Sequence, residues 1–166
     1  MRLLVVLAAA AVAIAVAVFT GTGSASPASL TLKFIETSKG ETFRFIDLRP
    51  RAKLKNGFPT RVSTGDEFVF GNTLLDAAKH RAGRIEGYCK ALRGAKRFER
   101  ARWGCQAFAR LKRGTLSITA DVKFSANGGN VAGQVTGGSG AYAGANGTFT
   151  SVGEPNAVDT FNIVVF

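Results

Sequence analysis

Residues 115 to 124 read Thr-Leu-Ser-Ile-Thr-Ala-Asp-Val-Lys-Phe, an unbroken alternation of polar and apolar side chains. Leu116, Ile118, Ala120, Val122 and Phe124 fall on one face, and the polar residues fall on the other. A period of two held over a whole segment specifies a half-buried strand, because a helix repeats its apolar positions every three to four residues. The same parity recurs through the chain. Leu30, Leu32 and Phe34 share it in a first strand, Phe43 and Phe45 in a second, and Phe68 and Phe70 in a third. Ile85, Gly87, Cys89 and Ala91 share one face of another strand. Ala101, Trp103, Cys105, Ala107, Ala109 and Leu111 line the next, and segments 131–135, 147–152 and 158–166 complete about eight strands. The expected class is all-β, either a sandwich or a closed barrel. Only closure removes every exposed edge, and eight strands enclose packed side chains or one small ligand.

One stretch admits a second reading. Residues 90 to 113 also fit a basic amphipathic helix with Leu92, Ala95, Phe98, Cys105 and Phe108 on one side. Gly94 and Gly104 fall inside it and Gly87 just before it. Each interior glycine costs a helix about 1 kcal/mol, which favours two strands joined near Lys96-Arg97-Phe98. Twenty glycines against four prolines, with thirteen phenylalanines, fit tight turns between strands.

The chain of 166 residues is the size of one domain. It opens with Met1-Arg2, then seventeen apolar residues from Leu3 to Phe19, then a small-residue stretch ending Gly23-Ser24-Ala25. Charge, apolar core and small-residue site in that order specify a secretory signal over residues 1–25, with a domain over 26–166. Cleavage after Ala28 is the other option, and an uncleaved anchor is the alternative to cleavage. The expected location is extracellular.

Lysines and arginines number 22 against 11 acids. From Lys79 to Arg113 there are twelve basic residues and two acids, Glu86 and Glu99, a net of +10 in one segment. Lys96, Arg97 and Arg100 stand at its centre. The segment is either a solvated face or a contact for an anionic polymer or membrane surface. Export argues against nucleic acid. One histidine, His80, and two cysteines do not make a metal cluster, and no cofactor is expected.

The two cysteines, Cys89 and Cys105, are equidistant from Arg97. A hairpin turning there sets them opposite each other, and an oxidising compartment favours a disulfide. The alternative is a free thiol facing a cavity. Residues 135 to 147 read Val-Thr-Gly-Gly-Ser-Gly-Ala-Tyr-Ala-Gly-Ala-Asn-Gly. A formal G-x-G-x-x-A match begins at Gly138, but no helix follows it and no βαβ unit surrounds it, so a turn between strands is expected and not a nucleotide loop. Asn146-Gly147-Thr148 is also an N-glycosylation sequon.

That glycine motif resembles the signature of the allene oxide cyclase and dirigent barrel superfamily. Gly65-Asp66-Glu67-Phe68-Val69-Phe70-Gly71-Asn72-Thr73-Leu74-Leu75-Asp76 resembles its second motif, and Gly83-Arg84-Ile85-Glu86-Gly87-Tyr88-Cys89 continues it. The resemblance implies an eight-stranded antiparallel barrel with a central apolar cavity, assembled as a homotrimer or homodimer. It implies binding of a small apolar molecule and guidance of its cyclisation or coupling, as an isomerase or cyclase would do. The family's acidic residue falls on Glu36 and its water-holding asparagine on Asn72, the two catalytic candidates; its cavity cysteine falls on Cys89. Parity agrees, since Glu36 shares a face with Phe34, and Asn72 with Phe70. Phe34, Phe70 and Cys89 are therefore the expected substrate contacts. Two departures stand out. Ser38 occupies the place of a family asparagine, and residues 39–45 hold no Ser-Pro pair. The competing function is a non-catalytic secreted module that binds an apolar ligand or an anionic surface.

Overall fold

The computed structural model describes residues 27–48, 52–55, 58–124, 130–153 and 156–166. The secretory signal over residues 1–25 lies outside them. The strands in chain order are β1 (Ala28–Ile46), β2 (Leu54–Lys55), β3 (Phe58–Pro59), β4 (Glu67–Leu75), β5 (Arg81–Arg93), β6 (Arg102–Leu111), β7 (Gly114–Val122), β8 (Val131–Gly138), β9 (Asn146–Val152) and β10 (Val158–Val165). β2 and β3 form a small ribbon; the other eight close into a barrel in the order β1, β10, β9, β8, β7, β6, β5, β4. All pairings are antiparallel, and β1 meets β10 to seal the wall.

The alternation in residues 115–124 is realised in β7, where Leu116, Ile118 and Val122 are buried. The helix reading of residues 90–113 gives way to the β5–β6 hairpin, with only a 3-10 turn over Phe98–Arg100 at its tip. The two strands expected at 30–34 and 43–45 are one strand of 19 residues. The pairing register jumps between Thr37 and Thr42, and Gly40 takes φ of 83° there. The polar, glycine-containing stretch bends the strand where it was read as ending it. β2 and β3 carry no alternation, being two residues each, and sequence pattern does not reveal them.

The glycine motif is a strand, a 3-10 turn over Gly140–Tyr142, and a strand. No helix follows, as expected. The Ser139 and Ala141 amides donate to the Thr115 and Arg113 carbonyls, each at 2.8 Å, so the motif folds back on the β6–β7 turn. A Cβ at Gly138 would stand 2.3 Å from the Tyr142 carbonyl oxygen, which leaves glycine as the residue that fits. The fold-back buries Tyr142 among Leu74, Leu116, Val135, Phe161 and Ile163, and plugs that end of the barrel. A second apolar cluster is built on the fully buried Trp103, with Phe68, Cys89, Ala91 and Val122. No helix among the described residues is long and apolar enough to cross a membrane.

Cys89 and Cys105 face each other across β5 and β6 and are joined, with Cα atoms 4.0 Å apart. The bond lies 16 residues apart in sequence, so it restricts a short loop of the unfolded chain. Protein purified without reductant should therefore give no free thiol by Ellman titration. The Cys89→Ser/Cys105→Ser variant should lose about 3 kcal/mol in denaturant unfolding. Two thiols titrating in the untreated protein contradict the pairing.

Candidate functional site: a cavity with an acid pair in its wall

In a meander, alternate turns go to opposite ends. The turns at 76–80, 112–113 and 139–145 lie at the plugged end; the connection at 94–101 and the C-terminal ends of β7 and β9 lie at the other. A cavity of about 1010 Å³ occupies the interior. It is lined by Lys96, Arg97, Phe98 and Glu99 of the β5–β6 connection, by Gly153 and Ala157 of the β9–β10 connection, and by the β2–β3 ribbon. No residue of the plugged-end turns lines it, so it opens at the unplugged end. Seven phenylalanines line it, Phe68, Phe70 and Phe149 among them. Space exists because the middle of the barrel points small side chains inward: Cys89, Cys105, Ala107 and Ala120 all line the cavity. The bulky residues are gathered in the two clusters.

The polar part of the wall follows from register. Ile35 pairs with Val158 on one side and with Leu75 on the other, so β1 changes partners there. Glu36 is next, and its amide donates to the Ala157 carbonyl at 2.8 Å. On β4, Glu36 stands opposite Leu74, and Asn72 is the next residue on that face. On β10, Phe34 stands opposite Asp159, which stands opposite Ser151 of β9. Diagonal neighbours on one face of a sheet are within reach of long side chains. Glu36, Asn72, Asp159 and Ser151 therefore converge from four strands. The Asn72 side-chain amide donates to Glu36 at 2.5 Å.

Glu36, Asn72 and Ser151 line the cavity; Asp159 lies behind them and is fully buried. Burial, and then the negative charge of Glu36, push the Asp159 carboxyl up to about 9. Ser151 and Glu36 both bear on its proton, Ser151 in the opposite sense. Among the described residues, neither Asp159 oxygen nor the Asn72 side-chain oxygen meets a partner at hydrogen-bond geometry. Asp159 is thus a neutral acid at pH 7 beside Glu36. Sequence reasoning passed over it, although its parity with Phe161 and Ile163 on β10 turns it inward.

The other expected residues divide. Phe70 and Cys89 line the cavity, whereas Phe34 is not among the lining residues and packs its ring on Phe161 at 6.1 Å. Phe34 is half-buried and packs against the core cluster that holds Phe161, opposite Asp159 on β10. Lys96 and Arg97 line the opening, and Arg100 does not. The basic segment is not one patch, because Lys79, Arg81, Lys112 and Arg113 sit at the plugged end. Arg110 and Arg102 are ion-paired with Glu86 and Asp121. Asp66 of the second motif is structural, since its buried carboxylate accepts from the Leu48 and Ser63 amides at 2.9 and 2.7 Å.

Among solved structures the chain is similar to a pyocyanin demethylase, with TM-score 0.60 and 18% identity over 82% of this chain and 99% of that one. It is similar to a pterocarpan synthase dirigent protein, with TM-score 0.58 and 17% identity over 84% of each chain. It is also similar to a Diels-Alderase from Streptomyces koyangensis, with TM-score 0.56 and 12% identity over 86% and 70%. No protein-family model and no curated protein matches the sequence. The chain has the barrel fold of dirigent proteins and of cyclising barrel enzymes, as the sequence resemblance implies.

A buried acid that holds its proton to about pH 9 when folded, and releases it near 3.8 when unfolded, ties stability to pH. Its contribution is fully present below 3.8 and is lost as pH rises towards 9. Asp159→Asn keeps the shape and abolishes the titration. In thermal unfolding between pH 5 and 9, wild type should lose stability relative to this variant by up to about 1.4 kcal/mol per pH unit. Parallel curves for the two proteins contradict a protonated Asp159.

Proposed function

We propose that this protein is an exported barrel that binds a small unsaturated molecule in its cavity and guides the cyclisation or coupling of that molecule. The observation that carries the reading is an aromatic-walled cavity with the Glu36 carboxylate on its wall beside Asn72 and a protonated acid, Asp159, behind it. The disulfide fits an oxidising location outside the cell. Structural likeness to dirigent and Diels-Alderase barrels favours chemistry in which a flexible substrate is folded into a reactive shape.

Such a cavity works chiefly by proximity and orientation, because bound reactants forfeit their translational and rotational freedom before the chemical step. The phenylalanine faces carry negative quadrupole charge and favour cationic character developing in an unsaturated substrate. Glu36 is the one carboxylate placed where it touches both the substrate space and Asn72. It stabilises positive charge, or takes and returns a proton. Asn72 fixes its orientation. Asp159 supplies a proton to the pair.

The test uses a panel of polyunsaturated epoxides, conjugated polyenes and oxidatively generated phenoxyl radicals, with products resolved by chiral chromatography. Glu36→Gln should retain the fold and the binding of a neutral fluorescent probe, while losing stereochemical excess or about 10²-fold in rate. Ile118→Trp, which fills the cavity, should abolish both binding and turnover. Product excess and rate unchanged in Glu36→Gln overturn the catalytic reading and leave a binding module.

A further inference from the structure

Three cations line the cavity: Lys55, Lys96 and Arg97. They arrive from two separate pieces of chain. Lys55 pairs with Phe58 across the β2–β3 ribbon, and Lys96 and Arg97 immediately precede Phe98. The rings of Phe58 and Phe98 meet edge to face at 5.4 Å, and Phe43 contacts both at 5.1 and 6.4 Å. Reciprocal backbone hydrogen bonds of 2.9 Å between Val62 and Ala95 tie the same two pieces together. The ring cluster thus brings all three cations to one lip of the opening. Two carboxylates share the lining there. Glu99 lies 3.8 Å from Arg97 as an ion pair, and Glu41 projects from the bend of β1. Among the described residues, Lys55 and Lys96 have no carboxylate within ion-pair distance.

We propose that this lip is an anion subsite, so that the cavity takes an amphiphilic organic anion. The unsaturated or aromatic body lies along the phenylalanine walls. The carboxylate, sulfate or phosphate stays at the lip with Lys55, Lys96 and Arg97. The proposal rests on the reading of the cavity as a ligand site and names the class of ligand. A charged headgroup carried into the apolar interior would lose its hydration at great cost; at the lip it keeps water and gains cations. Long basic side chains can lie along apolar surface while their charged heads stay in water, which suits a lip beside phenylalanines. The headgroup also fixes which end of the ligand enters first, and so which atoms face Glu36. A neutral apolar molecule would have no such bias. An anionic polymer fits less well, because the remaining cations of the basic segment are divided between the two ends of the barrel and Arg100 lies off the lip.

The test compares two probes of one shape and different charge, 1-pyrenebutyrate and 1-pyrenebutanol, by fluorescence titration of the purified protein at low salt. Wild type should bind the anion about five- to tenfold more tightly than the alcohol, and 0.5 M salt should erase most of that preference. Lys55→Gln/Lys96→Gln/Arg97→Gln should bring the two affinities within about twofold while leaving that of pyrenebutanol unchanged. Arg100→Gln should keep the wild-type preference. Equal affinities in wild type, or a preference that survives the triple substitution, overturn the anion subsite. So does a triple variant that loses retention on heparin but keeps the probe preference, which assigns the cations to a polymer. Failure of both probes to bind overturns the ligand cavity itself, a result distinct from equal binding of both.

Discussion

Closure of the barrel by its first and last strands is the constraint from which the site follows. β1 is long enough to pair with β10 along its first part and with β4 along the rest. The exchange of partners falls at Ile35, one residue before Glu36. Side chains on a strand alternate strictly, so a shift of one residue in that seam would turn Glu36 out of the barrel and separate it from Asn72 and Asp159. The same register that removes the exposed edge therefore assembles four polar groups on an otherwise apolar wall. Closing the sheet and building the site are one event in this chain.

The polar cluster and the cavity have a common cause in how bulk is distributed. The largest side chains, Trp103 and Tyr142, stay out of the cavity lining, and Cys89, Cys105, Ala107 and Ala120 leave it room between the phenylalanines. Had leucines stood at Ala107 and Ala120, the middle would be packed as the ends are, because protein interiors tolerate few voids. Beside Asn72 in this wall the strands place the Glu36 carboxylate, and they hide Asp159 behind it. Two negative charges so close and so poorly hydrated are strongly disfavoured, and the more deeply buried acid keeps its proton. Asp159 is thereby a neutral group at pH 7, available as a hydrogen-bond donor towards Glu36.

Much of this was legible in the sequence. The period of two in residues 115–124 required a strand, and the equal spacing of Cys89 and Cys105 about Arg97 set their pairing across the hairpin. Glu36 and Asn72 carried inward parity. What could not be read was whatever depends on which strands meet. Asp159 has inward parity too, but nothing local says that it lies beside Glu36, more than a hundred residues away. Phe34 has the parity of a cavity residue, yet it packs edge-on against Phe161 and lies outside the lining. The ribbon that brings Lys55 to the opening has no pattern at all, since two-residue strands are made by tertiary contact. The basic segment read as one patch because sequence distance conceals the alternation of turns between the two ends.

The central claim is that Glu36 and Asp159 act as a coupled pair across the β1–β10 seam, with the proton on Asp159. Carbon-detected NMR titration of the side-chain carboxyls, in wild type and in Glu36→Gln, tests it directly. The account predicts that the Asp159 carboxyl resonance stays that of the protonated acid through pH 7 in wild type. It also predicts that the titration moves to lower pH once the neighbouring charge of Glu36 is removed. An Asp159 already ionised at pH 7, or a titration that Glu36→Gln leaves in place, would contradict it.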